Sequence, residues 1–461
     1  MTDTRLLRDE ELSLYSLDQN FCVCSTFYDD GKADSITTFD LLVRDLPDHR
    51  NFLLAGGLEA IIQLLTGLKY SDRQVQHLIH RGRISESFAE YLRHFKFTGD
   101  IDAFPEGSLY FPGEPLVRIT APIIEANLIT DQMISLGVID TMLLSKIARV
   151  RLAAQDRRIG VGFVRAQGID AGWRAGRNAD FFENTGVSNE ASAMRGTGKV
   201  AVVNASHAFI KSFPDELTAF RAITKHFPED ASLMIDTYSI EQGLRNAITI
   251  GKELKQQGNR LFGITIDSGD FLKIAKQSRK DLDAAGLVDT KITVTGNLDE
   301  YKIHEMMKKG IPADTFLVVT EVVTNADAPT IEMVYKMSQI EEGGKLRHTA
   351  KFAPGKLSLP GKKQVFRIFE NGLLKKDIIG LDDESLGEPQ LIPILRHGKQ
   401  VYDFHNQEEQ RAYVKKQLKM LPEKYLDLFH EHKPPLEISP KVKELQEQVR
   451  VRHQAIVDEP T

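Results

Sequence analysis

The sequence predicts an α/β protein whose middle portion alternates strands and helices around a parallel sheet. Short β-branched runs recur at Lys199 to Val203, Ser232 to Asp236, Leu261 to Asp267, Lys291 to Thr295 and Phe316 to Val323. The stretches Ile240 to Gln257, Phe271 to Ala285 and Asp299 to Lys309 repeat apolar residues near helical spacing, as Ile303, Met306 and Met307 do. Each run also ends in polar residues: Asn204-Ala205-Ser206-His207, Asp236-Thr237-Tyr238, Asp267-Ser268-Gly269-Asp270, Thr295-Gly296-Asn297 and Thr320-Glu321. Strands joined through helices pair in parallel, and such sheets gather ligands at the C-terminal ends of their strands.

In chain order, residues 1–135 are expected to form an N-terminal mixed α+β domain. Strand-like stretches stand at Ser35 to Val43 and Leu116 to Ile119, with helices over Gly57 to Gly67 and Ser71 to Phe95. Pro105-Glu106-Gly107-Ser108 and Pro112-Gly113-Glu114-Pro115 are turn signals. Residues 123–154 read as one or two long apolar helices interrupted near Gly137. The α/β domain covers 136–345. A C-terminal segment, 346–461, is partly strand and then, from Gln407, charged helices whose mixed signs suit a solvated face.

The composition is that of an ordinary folded chain: 461 residues, 41% hydrophobic and 27% charged, long enough for two or three domains. Fifty-nine Lys and Arg against 65 Asp and Glu give a formal charge of −6, which argues against a basic nucleic-acid footprint. No apolar run approaches the roughly 20 residues of a membrane-spanning helix, and no apolar leader follows Met1. Cytoplasmic residence is therefore expected, without membrane or nucleic-acid partners. Cys22 and Cys24 are too close to staple distant segments and have no second pair, so neither disulfide nor zinc is indicated, and no haem is expected. On a strand they would share a face as small buried hydrophobes.

Four features could carry chemistry. Asp267-Ser268-Gly269-Asp270 places two carboxylates after a strand, where they would hold hydroxyls or Mg²⁺; the same four residues also make good turn chemistry. His207 suits an acid, a base or a phosphoryl acceptor, and equally a capping histidine. Arg165, with Gln167, offers a fork for phosphate or pyrophosphate, or a salt bridge to Asp170. Ser188 and Asn189 offer donors to an anion, or simply form a loop.

Taken together, these segments resemble the nicotinate phosphoribosyltransferase family, along roughly residues 30 to 367. The resemblance is carried by Phe97-Thr98-Gly99-Asp100, Phe111-Pro112-Gly113-Glu114-Pro115, Arg165-Ala166-Gln167-Gly168, Ser188-Asn189, His207, Asp236-Thr237-Tyr238 and Arg245-Asn246-Ala247. It continues through Asp267-Ser268-Gly269-Asp270, Gly296-Asn297-Leu298-Asp299-Glu300-Tyr301, Val334-Tyr335-Lys336 and Leu359-Pro360-Gly361-Lys362-Lys363-Gln364.

The resemblance implies an irregular parallel α/β barrel beside the N-terminal domain, usually in a homodimer. It implies transfer of phosphoribosyl from phosphoribosyl pyrophosphate (PRPP) to a pyridine carboxylate, nicotinate to nicotinate mononucleotide in NAD salvage. ATP would phosphorylate His207, and Asp267 and Asp270 would be catalytic and hold Mg²⁺. Arg165, Gln167, Ser188, Asn189, Asn204, Asp236, Thr265, Ser268, Gly296 and Thr320 would line the substrates.

The chain departs from the family pattern around the base. Gln19 stands where the family has a stacking tyrosine, Val203-Asn204 replaces Gly-Thr, and Thr265 replaces the arginine that pairs with the nicotinate carboxylate. An arginine restored at 265 is expected to improve nicotinate binding. Leu317 and Val319 replace phosphate-loop glycines and are expected to obstruct close backbone approach. Two other readings follow: a phosphoribosyltransferase for a different base, and a non-catalytic paralogue binding a nucleotide or a protein partner.

Overall fold

The computed structural model describes residues 9–195, 203–353 and 356–458. The chain divides into two units, Leu143–Pro329 and Met1–Met142 together with Thr330–Thr461.

The contiguous unit is built on seven parallel strands. From edge to edge they run Thr185–Val187, Arg158–Val161, Thr315–Val318, Lys291–Val294, Gly263–Ile266, Ala231–Met234 and Val203–Ala205. Strand alternation sorts their residues onto two faces. One face carries Ile159, Val161, Phe316, Val318, Ile292, Val294, Ile264, Ile266, Leu233 and Ala205, all buried. The other carries Gly186, Gly160, Leu317, Thr293, Thr265, Met234, Ser232 and Asn204, with Thr315 and Arg158 toward the strand starts, and is mostly small or polar apart from Leu317 and Met234. Neighbouring strands stand about 4.8 Å apart, yet Thr265 Oγ1 reaches Asn204 Oδ1, two strands away, at 2.8 Å. The sheet therefore curls, with the polar face inside.

The crossover helices Ile240–Gln256, Phe271–Ala284 and Glu300–Lys308 end within one residue of their expected limits. Ser239, Asp270 and Asp299 cap them, each side chain accepting from the backbone N–H three residues on. Three expectations change. The run Phe316 to Val323 breaks at Val319 (φ −129°, ψ −92°) into a strand and a helical turn, Thr320–Val323. Of Lys199 to Val203, only Val203 lies within the described residues, where it opens a strand. The strands Arg158–Val161 and Thr185–Val187 lack the β-branched runs used to find the others, because Gly160 and Gly186 interrupt them.

A buried ion cluster ties the helix Thr130–Ala154 to the start of the helix Glu300–Lys308. Glu300, fully buried, accepts from Lys146 Nζ at 2.6 Å and Arg149 Nε at 2.8 Å. Lys146 also pairs with Asp327 at 2.8 Å, and Arg149 donates to the Tyr301 hydroxyl at 3.0 Å. Burial alone would raise the Glu300 carboxyl, but the two cations together outweigh it and hold the group below the usual glutamate range.

The other unit contains a seven-stranded antiparallel sheet in the order Lys345–His348, Met333–Glu342, Ile36–Val43, Val117–Pro122, Asp100–Ala103, Ile392–Arg396 and Lys399–Gln400. A smaller sheet orders Glu388–Pro389, Lys363–Glu370, Leu373–Leu381 and Leu436–Ile438. The expected division at 135 and 345 shifts to Met142/Leu143 and Pro329/Thr330, and 346–461 is no separate segment. The physical reason is strand pairing: Met333–Glu342 lies along Ile36–Val43, and Ile392–Arg396 along Asp100–Ala103.

Helix breaks also differ. Ser71 to Phe95 forms two helices, Asp72–His80 and Glu86–Arg93, and 123–154 breaks at Ile129 into Ile123–Leu128 and Thr130–Ala154 rather than at Gly137. Gly137 is a packing device, since a Cβ there would meet Met333 Sδ at 2.7 Å. Cys22 and Cys24 lie on the helix Asp18–Asp29, not on a strand, and both are free. Cys24 is buried, and burial pushes its thiol up to about 12, leaving no thiolate at neutral pH. No helix among the described residues is long and apolar enough to cross a membrane.

Candidate active site

Three adjacent strands deliver His207, Asp236 and Asp267 to one rim. Asp267 directly follows Gly263–Ile266, Asp236 follows Ala231–Met234 by two residues, and His207 opens the helix His207–Lys211, which Ser206 caps. His207 Nδ1 lies 3.0 Å from Thr237 Oγ1, and its Nε2 lies 3.5 Å from Asp267 Oδ2. Asp236 Oδ2 accepts from Ser268 Oγ at 2.5 Å, while its buried Oδ1 has no partner among the described residues. One ligand atom from each of His207, Asp236 and Asp267 lies within 4.8 Å of the others.

Burial raises the Asp267 carboxyl; His207 and Arg165 pull it down, and Asp236 pushes it further up. Behind this group, Glu216 is buried, accepts from Asn246 Nδ2 at 2.8 Å, and is likewise raised by burial. Gly296 sits against the cluster at φ +99°, and a Cβ there would meet the Asp267 carbonyl oxygen at 2.1 Å. Only glycine permits both that backbone conformation and that approach.

The remaining candidates divide. Asp270 does not enter this cluster: its Oδ1 caps the following helix, accepting from Lys273 N at 3.1 Å. Arg165 and Gln167 are exposed on the loop after Arg158–Val161, and Arg165 acts on Asp267 through its charge. Asp170 pairs with Arg174 at 2.7 Å instead of with Arg165. Ser188 Oγ donates to the Val161 carbonyl at 3.0 Å, and Asn189 Oδ1 accepts from Ser192 N at 2.8 Å. Thr320 opens the short helical turn, and its carbonyl accepts from Thr324 Oγ1 at 2.7 Å.

Leu317 and Val319 pack over the adjacent strand. A Cβ on Gly160 would meet Leu317 Cδ1 at 2.8 Å, and one on Gly162 would meet Val319 Cγ2 at 2.6 Å. Glycines on one strand thus make the space that bulk on the next requires. Thr265 is fully buried, 2.8 Å from both Ser232 Oγ and Asn204 Oδ1. Arginine has no room there, so the expected gain from Thr265→Arg is replaced by loss of this network. Gln19 is exposed on the helix Asp18–Asp29. Sequence reasoning missed Thr237 as the partner of His207, although it stands beside Asp236 in one of the strand-end triplets.

The nicotinate phosphoribosyltransferase (NAPRTase) N-terminal domain profile matches residues 20–136. A nicotinate phosphoribosyltransferase of Mycobacterium tuberculosis is 35% identical over 367 residues, covering 79% of this chain and 77% of that one. The Bacillus subtilis nicotinate phosphoribosyltransferase is 31% identical over 387 residues, covering 83% and 78%. The crystal structure of human nicotinic acid phosphoribosyltransferase superposes with a TM-score of 0.83 at 23% identity, across 94% of this chain and 99% of that one, which shows the shared fold. With this identity sustained along most of both chains, the protein belongs to the nicotinate phosphoribosyltransferase family.

Proposed function

We propose that the chain transfers the phosphoribosyl group of PRPP to nicotinate, forming nicotinate mononucleotide for NAD salvage, with ATP-dependent phosphorylation of His207. The observation that carries this reading is the rim cluster itself. Displacement at the anomeric carbon passes through an oxocarbenium-like state, so orientation and fixed charge contribute more than a strong protein nucleophile. Asp236 and Asp267 supply that charge, and Gly296 and Ser268 fix their positions.

His207 is held between Thr237 and Asp267. With Nδ1–H donating to Thr237 Oγ1, Nε2 would present its lone pair to the γ-phosphorus of ATP on leaving its contact with Asp267; the N–P bond forms as the bond to the ADP oxygen breaks. The donor set suits Mg²⁺, which favours carboxylate oxygens, with Asp236 and Asp267 as the holding residues in place of the Asp267 and Asp270 pair read from sequence. Held by these two carboxylates, Mg²⁺ would supply positive charge to offset that developing on pyrophosphate. Arg165, exposed at the same rim, is free to fork onto a phosphate.

The test is pyrophosphate release from PRPP with Mg²⁺ and nicotinate, with and without ATP. ATP-stimulated release is the expected result; no release from folded protein sinks the proposal. The third reading, a non-catalytic paralogue, drew on Leu317 and Val319, and their packing over Gly160 and Gly162 removes that support.

A homodimer is also part of this reading. The segments after the strands leave Val164, Ile169, Met194 and Tyr238 between 64% and 82% exposed, an apolar rim that a second copy would cover. Sedimentation equilibrium at twice the chain mass is expected, and a monomer at micromolar concentration would reject it. Two free thiols fit a reducing cytoplasm, which fractionation would test.

A further inference from the structure

Glu114 is fully buried in the turn that follows the short strand Leu109–Tyr110. Its Oε2 accepts from the Phe111 backbone N–H at 2.9 Å, while its buried Oε1 meets no donor among the described residues. The group within hydrogen-bond reach of this carboxyl is a second carboxyl, Asp377, also fully buried. Asp377 already has its cation. Arg367, directly opposite on the neighbouring antiparallel strand, grips both of its oxygens, Nε to Oδ1 at 2.9 Å and Nη2 to Oδ2 at 2.7 Å. The same guanidinium donates to the Leu109 carbonyl at 3.1 Å and to Gln417 Oε1 at 3.3 Å, and Gln417 Oε1 accepts from the Leu109 backbone N–H at 3.0 Å.

One guanidinium thus serves two buried carboxyls. An ionised carboxylate only accepts hydrogen bonds, so two of them bond to each other only through a proton. Asp377 receives the fork of Arg367 and Glu114 Oε1 receives nothing, which puts the proton on Glu114. We infer that Glu114 keeps its proton in the folded protein and donates it to Asp377, and that this proton locks the turn Phe111–Pro115 to the strands Lys363–Glu370 and Leu373–Leu381. The other ionisable groups here stay uncharged. The Tyr110 hydroxyl accepts from the Val43 N–H at 2.8 Å and donates to the Glu114 carbonyl at 2.7 Å; Tyr413, behind Arg367, shares a hydrogen bond with Ser108 Oγ at 2.7 Å. Burial holds both phenols above their ordinary range. Burial and the charge of Asp377 likewise raise the Glu114 carboxyl well above the usual glutamate range, against the pull of Arg367. A buried carboxylate without a cation is strongly unfavourable, so opening the junction wets Glu114 and releases one proton to water. The contribution is fully present below the unfolded value, about 4.3, and is lost as pH rises from there to the raised folded value.

The experiment is amide hydrogen exchange of the full chain, followed by mass spectrometry on the peptide that contains Phe111, whose N–H is bonded to Glu114. It is run at about pH 5, 6 and 7, with rates corrected for the intrinsic effect of pH, under conditions where exchange follows the opening equilibrium. In the wild type, protection of this peptide is expected to fall about tenfold per pH unit until the raised folded value is reached, the signature of one proton released on opening. Glu114→Gln copies the protonated acid: its amide N–H donates to Asp377, its oxygen accepts from Phe111, and it has no proton to lose. Protection in this variant should be independent of pH and should exceed that of the wild type at pH 7. Wild-type protection that does not change with pH overturns the inference. An equal slope in Glu114→Gln overturns it too, because another group then carries the proton. Should Glu114→Gln fail to fold, the wild-type slope decides.

Discussion

Glu300→Ala is expected to destabilise the unit Leu143–Pro329 by about 3–5 kcal/mol, the range found when one partner of a buried ion pair is removed. Glu300 is fully buried and is the shared acceptor of Lys146 and Arg149. Alanine leaves two buried cations; Lys146 keeps Asp327 and Arg149 keeps the Tyr301 hydroxyl, but neither gains a new carboxylate. A drop in melting temperature of about 10 °C should follow. Because its carboxyl is held below the ordinary glutamate range, Glu300 contributes stability that is present above the unfolded value, about 4.3. That contribution is lost as pH falls through the lower folded value. The wild type should therefore lose stability on acidification more steeply than the variant. Denaturation across pH 3–7 checks both, and a shift under about 1 kcal/mol at neutral pH would show that the cluster is not what holds these two helices together.

His207→Ala should remove the ATP-stimulated part of pyrophosphate release and lower kcat by about 10²–10⁴-fold, the usual contribution of a positioned catalytic side chain. Alanine deletes the nitrogen facing Asp267 and the one facing Thr237 together. The side chain is 37% exposed, so folding should survive, and circular dichroism separates a dead enzyme from an unfolded one. Incubation with γ-labelled ATP gives an independent readout: acid-labile phosphate is expected on the wild type and absent from the variant. Unchanged ATP stimulation in the variant would remove His207 from the mechanism.

The middle of the fold was legible because its signals are local. Buried parallel strands read as β-branched runs, and capped amphipathic helices announce both ends. The strands Arg158–Val161 and Thr185–Val187 escaped because Gly160, Gly162 and Gly186 dilute them, and those glycines make sense only once Leu317 and Val319 are seen across the ladder. At Phe316 to Val323 the β-branched residues continue past the strand, and only the backbone at Val319 turns them into a helix. At the site, residue type and strand-end position located His207, Asp236 and Asp267. Spacing could not say that Asp236 would join the cluster while Asp270 capped a helix, since both stand equally well after a strand. The composition of the other unit was invisible for the same reason that its sheet is stable: its pairings join residues from opposite ends of the chain.

That discontinuity bears on the order of assembly. The unit Leu143–Pro329 is one uninterrupted stretch, and its longest-range pairing, Arg158–Val161 with Thr315–Val318, closes after about half the separation that the other unit requires. The strand Ile36–Val43 waits longer, because its partner along one edge, Met333–Glu342, lies roughly 300 residues downstream. At about 5–20 residues per second of synthesis, that edge stays open for roughly 15–60 s while the antiparallel neighbour Val117–Pro122 already covers the other. A nascent chain therefore completes the unit Leu143–Pro329 before the discontinuous unit can close, and the unpaired edge of Ile36–Val43 is where a stalled or truncated chain would begin to aggregate.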